Sequence, residues 1–315
     1  MKVSLIATVK DAGDRIGVFL ESVAAQSRAP DELVVVDGGS TDGTLDVLRR
    51  AEGVTLIEEP GANIARGRNV AIAAAAHDAI AVSDADCELE PRWLERLAAA
   101  LEDGADVAMG FTEPIAEGFL PRVMTCLNLP DAAEVNPSTF LPSARSVAFR
   151  RSAIEAAGGY PEWLDIGEDM YVNHRWRELR LDLRFVPDAV VGWPLRTTLA
   201  GTWTQYFRYA RGDAVAGMHP ERHALRFGVY GGALAAWGSR RRLPRLVTLA
   251  GGAAYAAAPA RRVLRRFDDP VERLWALAAI PALLAFVDAA KVAGYLAGLA
   301  AARDVRRTGA EEPPS

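Results

Sequence analysis

The sequence predicts an α/β protein: a mostly parallel sheet with helices on both faces, followed by a helical C-terminal region that is apolar and basic. Three observations predict it. Short β-branched runs alternate with helical patterns through the first hundred residues. Acidic or glycine-rich turns close those runs. Beyond Thr198 the chain is almost wholly helical and alanine-rich. Strands separated by helices of about ten residues imply right-handed crossovers and therefore parallel pairing.

Taken in order, Val3–Val9 (VSLIATV) reads as a strand, and Arg15–Gln26 carries Ile16, Phe19, Leu20 and Val23 at helical spacing. Leu33–Val36 (LVVV) has no polar interruption, the pattern of a strand buried on both faces. Gly38-Gly39 turn the chain, and Ser40 or Asp42 can cap a helix that starts near Thr44. Val54–Ile57 reads as a strand, Ala62–Ala76 as a helix and Ala79–Val82 as a strand. Prolines at 114, 121, 130, 137 and 142 predict loops and short helices laid over the sheet. Ser143–Phe149 reads as a further strand, Ser152–Ala157 as a short helix and Glu168–Leu181 as a longer one. The domains expected are residues 1–215, a helical region at 216–307 and a frayed polar tail at 308–315.

Half of the 315 residues are apolar and 24% are charged, the balance of a globular protein. Two cysteines exclude a disulfide scaffold and a four-cysteine zinc site. The four histidines show no ligand spacing. The apolar run at Met1–Val9 is too short for a signal-peptide core, so export is not expected. The net charge of −5 hides an asymmetry: residues 222–307 carry +10 and the remainder −15. Apolar stretches at Phe227–Trp237, Leu246–Ala260 and Leu274–Ala302 are joined by arginine clusters that include Arg240–Arg242 and Arg261–Arg262. Arginines beside apolar helices suit an anionic membrane surface. A nucleic-acid footprint would instead interleave basic and stacking aromatic residues on a polar face, so no nucleic-acid partner is expected. Asp288 and Lys291, at i and i+3 in the third stretch, are expected to neutralise each other.

Ligands of an open parallel sheet bind at the carboxyl ends of its strands. Asp11, Asp37, Asp84 and Asp86 all fall at such ends. The pair in Ser83-Asp84-Ala85-Asp86 can hold a divalent cation through oxygen ligands, or give one carboxylate to a ribose hydroxyl. Glu168-Asp169 suits a helix N-terminus, where acids favour the dipole, and suits a general base equally.

Five segments, in order, resemble family 2 glycosyltransferases of the GT-A fold: SLIATVKDAGDRIGVFLESVAAQSRAPDELVVVDGGSTDGT, GANIARGRNVAIAAA, AVSDADCELEP, GGYPEWLDIGEDM and QYFRYARG. The last is similar to an element of succinoglycan-type exopolysaccharide transferases. The resemblance covers roughly residues 3–215. It implies an inverting, metal-dependent transfer from a UDP- or GDP-sugar to a hydroxyl, with a saccharide or lipid-linked acceptor. Asp37 would accept from the base, with Thr8 and Lys10 lining that pocket. Arg68, with Arg66 beside it, would face the nucleotide. Asp84 would meet ribose, and Asp86 the Mg²⁺ or Mn²⁺ on the diphosphate. Asp169, beside Glu168, would be the general base, and Gln205, Arg208 and Arg211 would lie near the acceptor or the leaving diphosphate.

The chain departs from the pattern in three places. Lys10-Asp11 stands where an aromatic-Asn pair is usual. Tyr209 replaces a tryptophan. Val191-Gly192-Trp193 lacks the histidine that gives some relatives an extra metal ligand, which would leave Asp86 as the one protein ligand. The location expected is the cytoplasmic face of the cell membrane, with a soluble cytoplasmic enzyme as the alternative. A nucleotidyltransferase and a non-catalytic nucleotide-sugar-binding protein are the other readings.

Overall fold

The computed structural model describes residues 1–239 and 241–308. Arg240 and the tail at 309–315 lie outside the described residues. The chain forms two compact units. One comprises Met1–Ile115 and Ala132–Pro194, the other Ala116–Asp131 and the chain from Leu195 onward.

The first unit is built on one sheet of eight strands: β1 (Val3–Val9), β2 (Glu32–Asp37), β3 (Val54–Glu58), β4 (Ala79–Asp84), β5 (Glu88–Leu89), β6 (Val107–Ile115), β7 (Val147–Arg150) and β8 (Leu183–Pro194). Their order is β3-β2-β1-β4-β7-β6-β8-β5. The half from β3 to β4 is parallel, as expected. The other half is mixed: β7 runs antiparallel to both β4 and β6, β6 and β8 are parallel, and β5 is antiparallel to β8. Leu5, Ile6, Val34, Val35, Ile80 and Val82 are wholly buried, which accounts for their unbroken apolar runs. Six helices cover the sheet: α1 (Arg15–Ala24), α2 (Thr44–Arg50), α3 (Ile64–Ala74), α4 (Trp93–Glu102), α6 (Arg151–Ala157) and α7 (Glu168–Glu178).

The second unit holds α5 (Phe119–Asn128), α8 (Leu199–Ala216), α9 (Pro220–Gly238), α10 (Arg242–Arg266) and α11 (Pro270–Thr308). Its longer segment begins at Leu195, so α8, read from sequence with the first domain, belongs here. Val123, Cys126, Val263, Phe267, Ile280 and Leu284 form its core. Pro281 does not interrupt α11. Gly294 and Gly298 let α11 meet the backbone of α8, since a Cβ on Gly294 would lie 2.1 Å from the Phe207 oxygen. Asp288 is buried, and the hydrogen bonds it accepts come from residues other than Lys291. Arg226 Nε donates to it at 2.8 Å, and the Tyr230 and Tyr255 hydroxyls at 2.9 and 3.0 Å. Lys291 lies over the Tyr206 ring. An i,i+3 pair is only one solution for a buried charge, and three donors from neighbouring helices satisfy a carboxylate more fully than one lysine. Pro270–Ala302 is long and apolar enough to cross a membrane, with mean hydropathy 1.8 and only 33% of its apolar window buried. Leu234 and Trp237 on α9, Leu243, Leu246 and Val247 on α10, and Leu274 and Trp275 on α11 are all exposed.

Candidate active site

Parallel pairing sets the acidic residues along one rim. Val9 of β1 lies opposite Asp37 of β2, while Thr8 lies opposite Asp84 of β4. Asp37 and Asp84 thus flank the end of β1, about two strand spacings or roughly 10 Å apart. Asp86 follows two residues later, partly exposed, with its backbone oxygen accepting from Arg15 Nε at 3.1 Å. Thr8 sits beneath α3, where Gly67 allows a close approach: a Cβ there would lie 3.0 Å from the Thr8 methyl. Lys10 is exposed.

The Asp37 carboxylate, 1% exposed, accepts from the Gly39 and Ser40 amides at 2.8 and 2.9 Å and from the Ser40 hydroxyl at 2.5 Å. Its first task is to shape its own loop, with Gly39 at φ 95°. Asp11 accepts from the Thr41 amide at 2.7 Å, and Asp42 from the Gly13 amide at 2.7 Å, fastening the β1 loop to the β2 loop.

Arg68 is the centre of the rim. It is 2% exposed, with Nη2 donating to Asp84 at 2.8 Å and Nη1 to Glu168. Its guanidinium lies over the Tyr160 ring, 5.3 Å from the centroid. Burial alone would pull Arg68 down, but the charges of Asp84 and Glu168 raise it well above its usual value. Burial likewise opposes the charge on Asp84, and Arg68 with Arg145 overcomes that and lowers it. Asn69 explains its place beside Arg68: it accepts from the Tyr160 amide at 2.9 Å and donates to the Tyr160 oxygen at 2.8 Å. The Arg-Asn pair on α3 therefore clamps the Gly-Gly-Tyr loop and, through Arg68, the start of α7. Arg66 does something else. It is half exposed and held by Glu59 at 2.6 Å and Glu162 at 3.5 Å.

Glu168 and Asp169 open α7 after Gly167, whose φ of 88° suits glycine. Their surroundings differ. Glu168 is 4% exposed; burial first, then the Asp169 charge, push its carboxyl up to about 7 against the pull of Arg68. Asp169 is partly exposed and accepts from the Ala144 amide at 3.3 Å. A raised carboxyl binds an extra proton in the folded state, so its contribution to stability falls as pH rises from about 4.5 towards about 7 and then levels off. Glu168→Gln is therefore expected to gain on the wild type across that window, by about 2 kcal/mol, and to gain no more above it. Urea melts of both proteins between pH 5 and pH 8 check this, and parallel curves would contradict it.

Arg145 is a residue of the rim that no motif singled out. It precedes β7, its Nε lies 3.3 Å from the second Asp84 oxygen, and its guanidinium covers the Trp193 indole at 4.3 Å. Gln205, Arg208 and Arg211 lie on α8 of the second unit, where Gln205 donates to the Tyr209 hydroxyl at 3.0 Å and Arg208 is exposed.

Among the described residues no group of three or more His, Cys, Asp and Glu side chains is arranged to hold a metal. The donors present suit a cation carried in with phosphate, since Mg²⁺ characteristically takes one or two carboxylates and completes its shell with phosphate and water. The carboxylates Asp84, Asp86, Glu168 and Asp169 gather here, so a bound cation would ease the approach of a diphosphate.

Residues 4–157 match the family profile described as Glycosyl transferase family 2. An uncharacterized glycosyltransferase of Mycobacterium tuberculosis (strain H37Rv) is 32% identical over 194 residues, which cover 56% of this chain and 87% of that protein. The chain belongs to glycosyltransferase family 2. The transferase is also 26% identical to the O-antigen chain rhamnosyltransferase RfbN of Salmonella typhimurium, over 66% of its own length and 71% of the relative. Coverage of other relatives falls as low as 33% of their length. The mannosyltransferase PcManGT from Pyrobaculum calidifontis, solved with GDP-Man and Mn²⁺, superposes with a TM-score of 0.53 at 22% identity, covering 98% of this chain and 88% of that one. The fold is thus of the GT-A type, and membership of the family replaces the nucleotidyltransferase reading.

Proposed function

We propose that this glycosyltransferase moves a sugar, with inversion, from a UDP- or GDP-sugar to a hydroxyl of a saccharide acceptor, using a divalent cation at Asp86. The observation that carries the reading is the Arg68 bridge, which joins Asp84 on the donor rim to Glu168 at the head of α7, next to Asp169. One buried cation thereby ties the proposed ribose-binding residue to the acid that precedes the proposed base.

Each residue then has a task. Asp37, in its own hydrogen-bonded loop, receives the base, with Thr8 and Lys10 lining that pocket. Asp84, kept ionised by two arginines, accepts from ribose hydroxyls, and Arg68 holds it there. Arg66, tied to Glu59 and Glu162, lies at the edge of the nucleotide site. Asp86 is the protein ligand for Mg²⁺ or Mn²⁺, which when bound offsets the charge of the leaving diphosphate. Of the two acids on α7, Asp169 is the base. It is partly exposed and can meet an acceptor, whereas Glu168 is buried against Arg68 and fixes the position of the helix. A single base opposite the leaving group gives one displacement and inversion. Gln205, Arg208 and Arg211 serve the acceptor or the leaving diphosphate.

The rhamnosyltransferase relative supports a saccharide acceptor, and the GDP-Man and Mn²⁺ of the mannosyltransferase support the donor class and the metal. The exposed apolar faces of α9, α10 and α11, with the arginines at 241–245 and 261–266, support attachment to the cytoplasmic face of an anionic membrane and a lipid-linked acceptor.

A thermal-shift panel of UDP, GDP and their sugars with and without Mn²⁺ tests this. A ligand that binds only the folded state at a hundred times its Kd adds about 2.7 kcal/mol. The expected result is a rise of several degrees with one nucleotide family in the presence of Mn²⁺, lost in Asp86→Ala. An equal rise in Asp86→Ala would remove the metal from the reading.

A further inference from the structure

We propose that this enzyme meets its membrane through the hairpin of α9 and α10, which lies in the headgroup boundary of one anionic leaflet, and that α11 does not cross the bilayer. The proposal rests on the reading that the enzyme works at a membrane, and it names the surface that makes the contact.

α11 is the one described helix long and apolar enough to span. Its packing holds it elsewhere. Gly294 and Gly298 bring it against the backbone of α8, since a Cβ on Gly298 would lie 2.4 Å from the Arg211 oxygen. α8 carries Gln205, Arg208, Arg211 and Asp213, too polar a companion for hydrocarbon. Asp288, midway along α11, is tied to Arg226 and Tyr230 of α9 and to Tyr255 of α10. A crossing α11 would have to leave these helices or draw their charges in with it.

The hairpin has the opposite character. Its charged groups turn inward: Arg226 to Asp288, and His223 to Asp213 of α8 at 3.0 Å. Arg245 donates to the Trp237 and Ser239 oxygens at 3.0 and 2.9 Å and so fastens the turn. The large apolar side chains face outward. On α10, Leu243, Leu246 and Val247 share one exposed face through their spacing of three and four. On α9, Leu234 and Trp237 stand eight and eleven positions after Arg226, near the same stripe, yet they are 77% and 54% exposed. α9 therefore parts from α11 after Tyr230. Charged groups inside and large apolar groups outside is the arrangement expected against lipid.

Length sets the depth. Residues 227–237 make about 16 Å of helix, roughly half of a hydrocarbon core about 30 Å thick. Arg241 and Arg242 follow almost at once and are exposed, and a charged turn is not carried into hydrocarbon. The hairpin therefore lies along the surface, with its leucines and Trp237 among the upper acyl chains and the two arginines on lipid phosphate. That match of charge selects an anionic leaflet over a second copy of the chain.

The test is flotation of the full chain with vesicles of phosphatidylcholine alone and of an equal mixture with phosphatidylglycerol. The wild type should float with the mixed vesicles. The double variant Leu243→Glu/Leu246→Glu should lower partitioning about 100-fold. Arg241→Gln/Arg242→Gln should lower it about 10- to 30-fold in the mixed vesicles and change little in phosphatidylcholine. Leu296→Glu/Leu299→Glu, at two exposed positions inside the candidate span, should bind as the wild type does. All of these side chains are exposed, so melting temperatures should stay together. Binding lost in Leu296→Glu/Leu299→Glu, or kept in Leu243→Glu/Leu246→Glu, overturns the proposal. A wild type that floats with neither vesicle overturns the membrane reading itself, and this proposal with it. If that chain is also a dimer by light scattering, and Leu243→Glu/Leu246→Glu makes it a monomer, the hairpin is an interface between copies instead.

Discussion

Asp169→Asn is expected to lower kcat by about 10²- to 10⁴-fold, the range of a lost general base, while donor affinity and melting temperature stay near the wild type. Asn keeps the shape of the side chain and an oxygen for the Ala144 amide, which the native carboxylate accepts at 3.3 Å, so the fold loses little. It cannot take a proton from an acceptor hydroxyl. The neighbouring acid should not compensate, because Glu168 is 4% exposed and bound to Arg68. Steady-state transfer with the donor identified by thermal shift measures this. A variant that retains more than a tenth of wild-type kcat would move the base elsewhere.

Arg68→Met has the largest expected effect on stability. Removing one partner of a buried ion pair leaves charge without compensation, at a cost of about 3–5 kcal/mol. The two acids that lose Arg68 are not equally harmed. Asp84 keeps Arg145, 3.3 Å from its second oxygen. Glu168 loses the cation that lowers it and keeps the Asp169 charge, and burial already raises its carboxyl to about 7 with Arg68 present. Without Arg68 it should rise further, so the variant takes up a proton there and recovers part of the loss in mild acid. The deficit against the wild type should therefore be larger at pH 8 than at pH 6. Urea melts at the two pH values measure it, and a deficit that is equal at both would show that Glu168 does not carry the cost.

The first half of the sheet was legible because its strands are buried on both faces. LVVV and VSLIATV can be little else, and the turns that follow them place Asp37 and the DAD pair on one edge. The strands β6 and β8 escaped the same reading. Gly110 and Pro114 interrupt one, and Pro187 and Asp188 interrupt the other, whose residues are half exposed. A strand that is part edge and part core carries no clean period. Without those two strands the sheet reads only as mostly parallel, and the antiparallel entry of β7 is invisible.

The same limit applies to the charged residues. Asp288 was read against its neighbour Lys291, three positions along one helix, because local spacing is all that sequence can weigh. Its actual partner, Arg226, is 62 residues away. Arg145 carried no motif at all and became notable only when β7 brought it beside Asp84 and β8 brought Trp193 beneath it.

The amino-acid pattern alone determined the alternating architecture, the acidic rim and the family to which this transferase belongs, because each rests on residues close together in the chain. Tertiary structure decided which acids share which cation: Asp84 and Glu168 lie 84 positions apart and meet only through Arg68. Charge pairing in a low-dielectric interior depends on distance in space, and neither residue type nor periodicity encodes that distance.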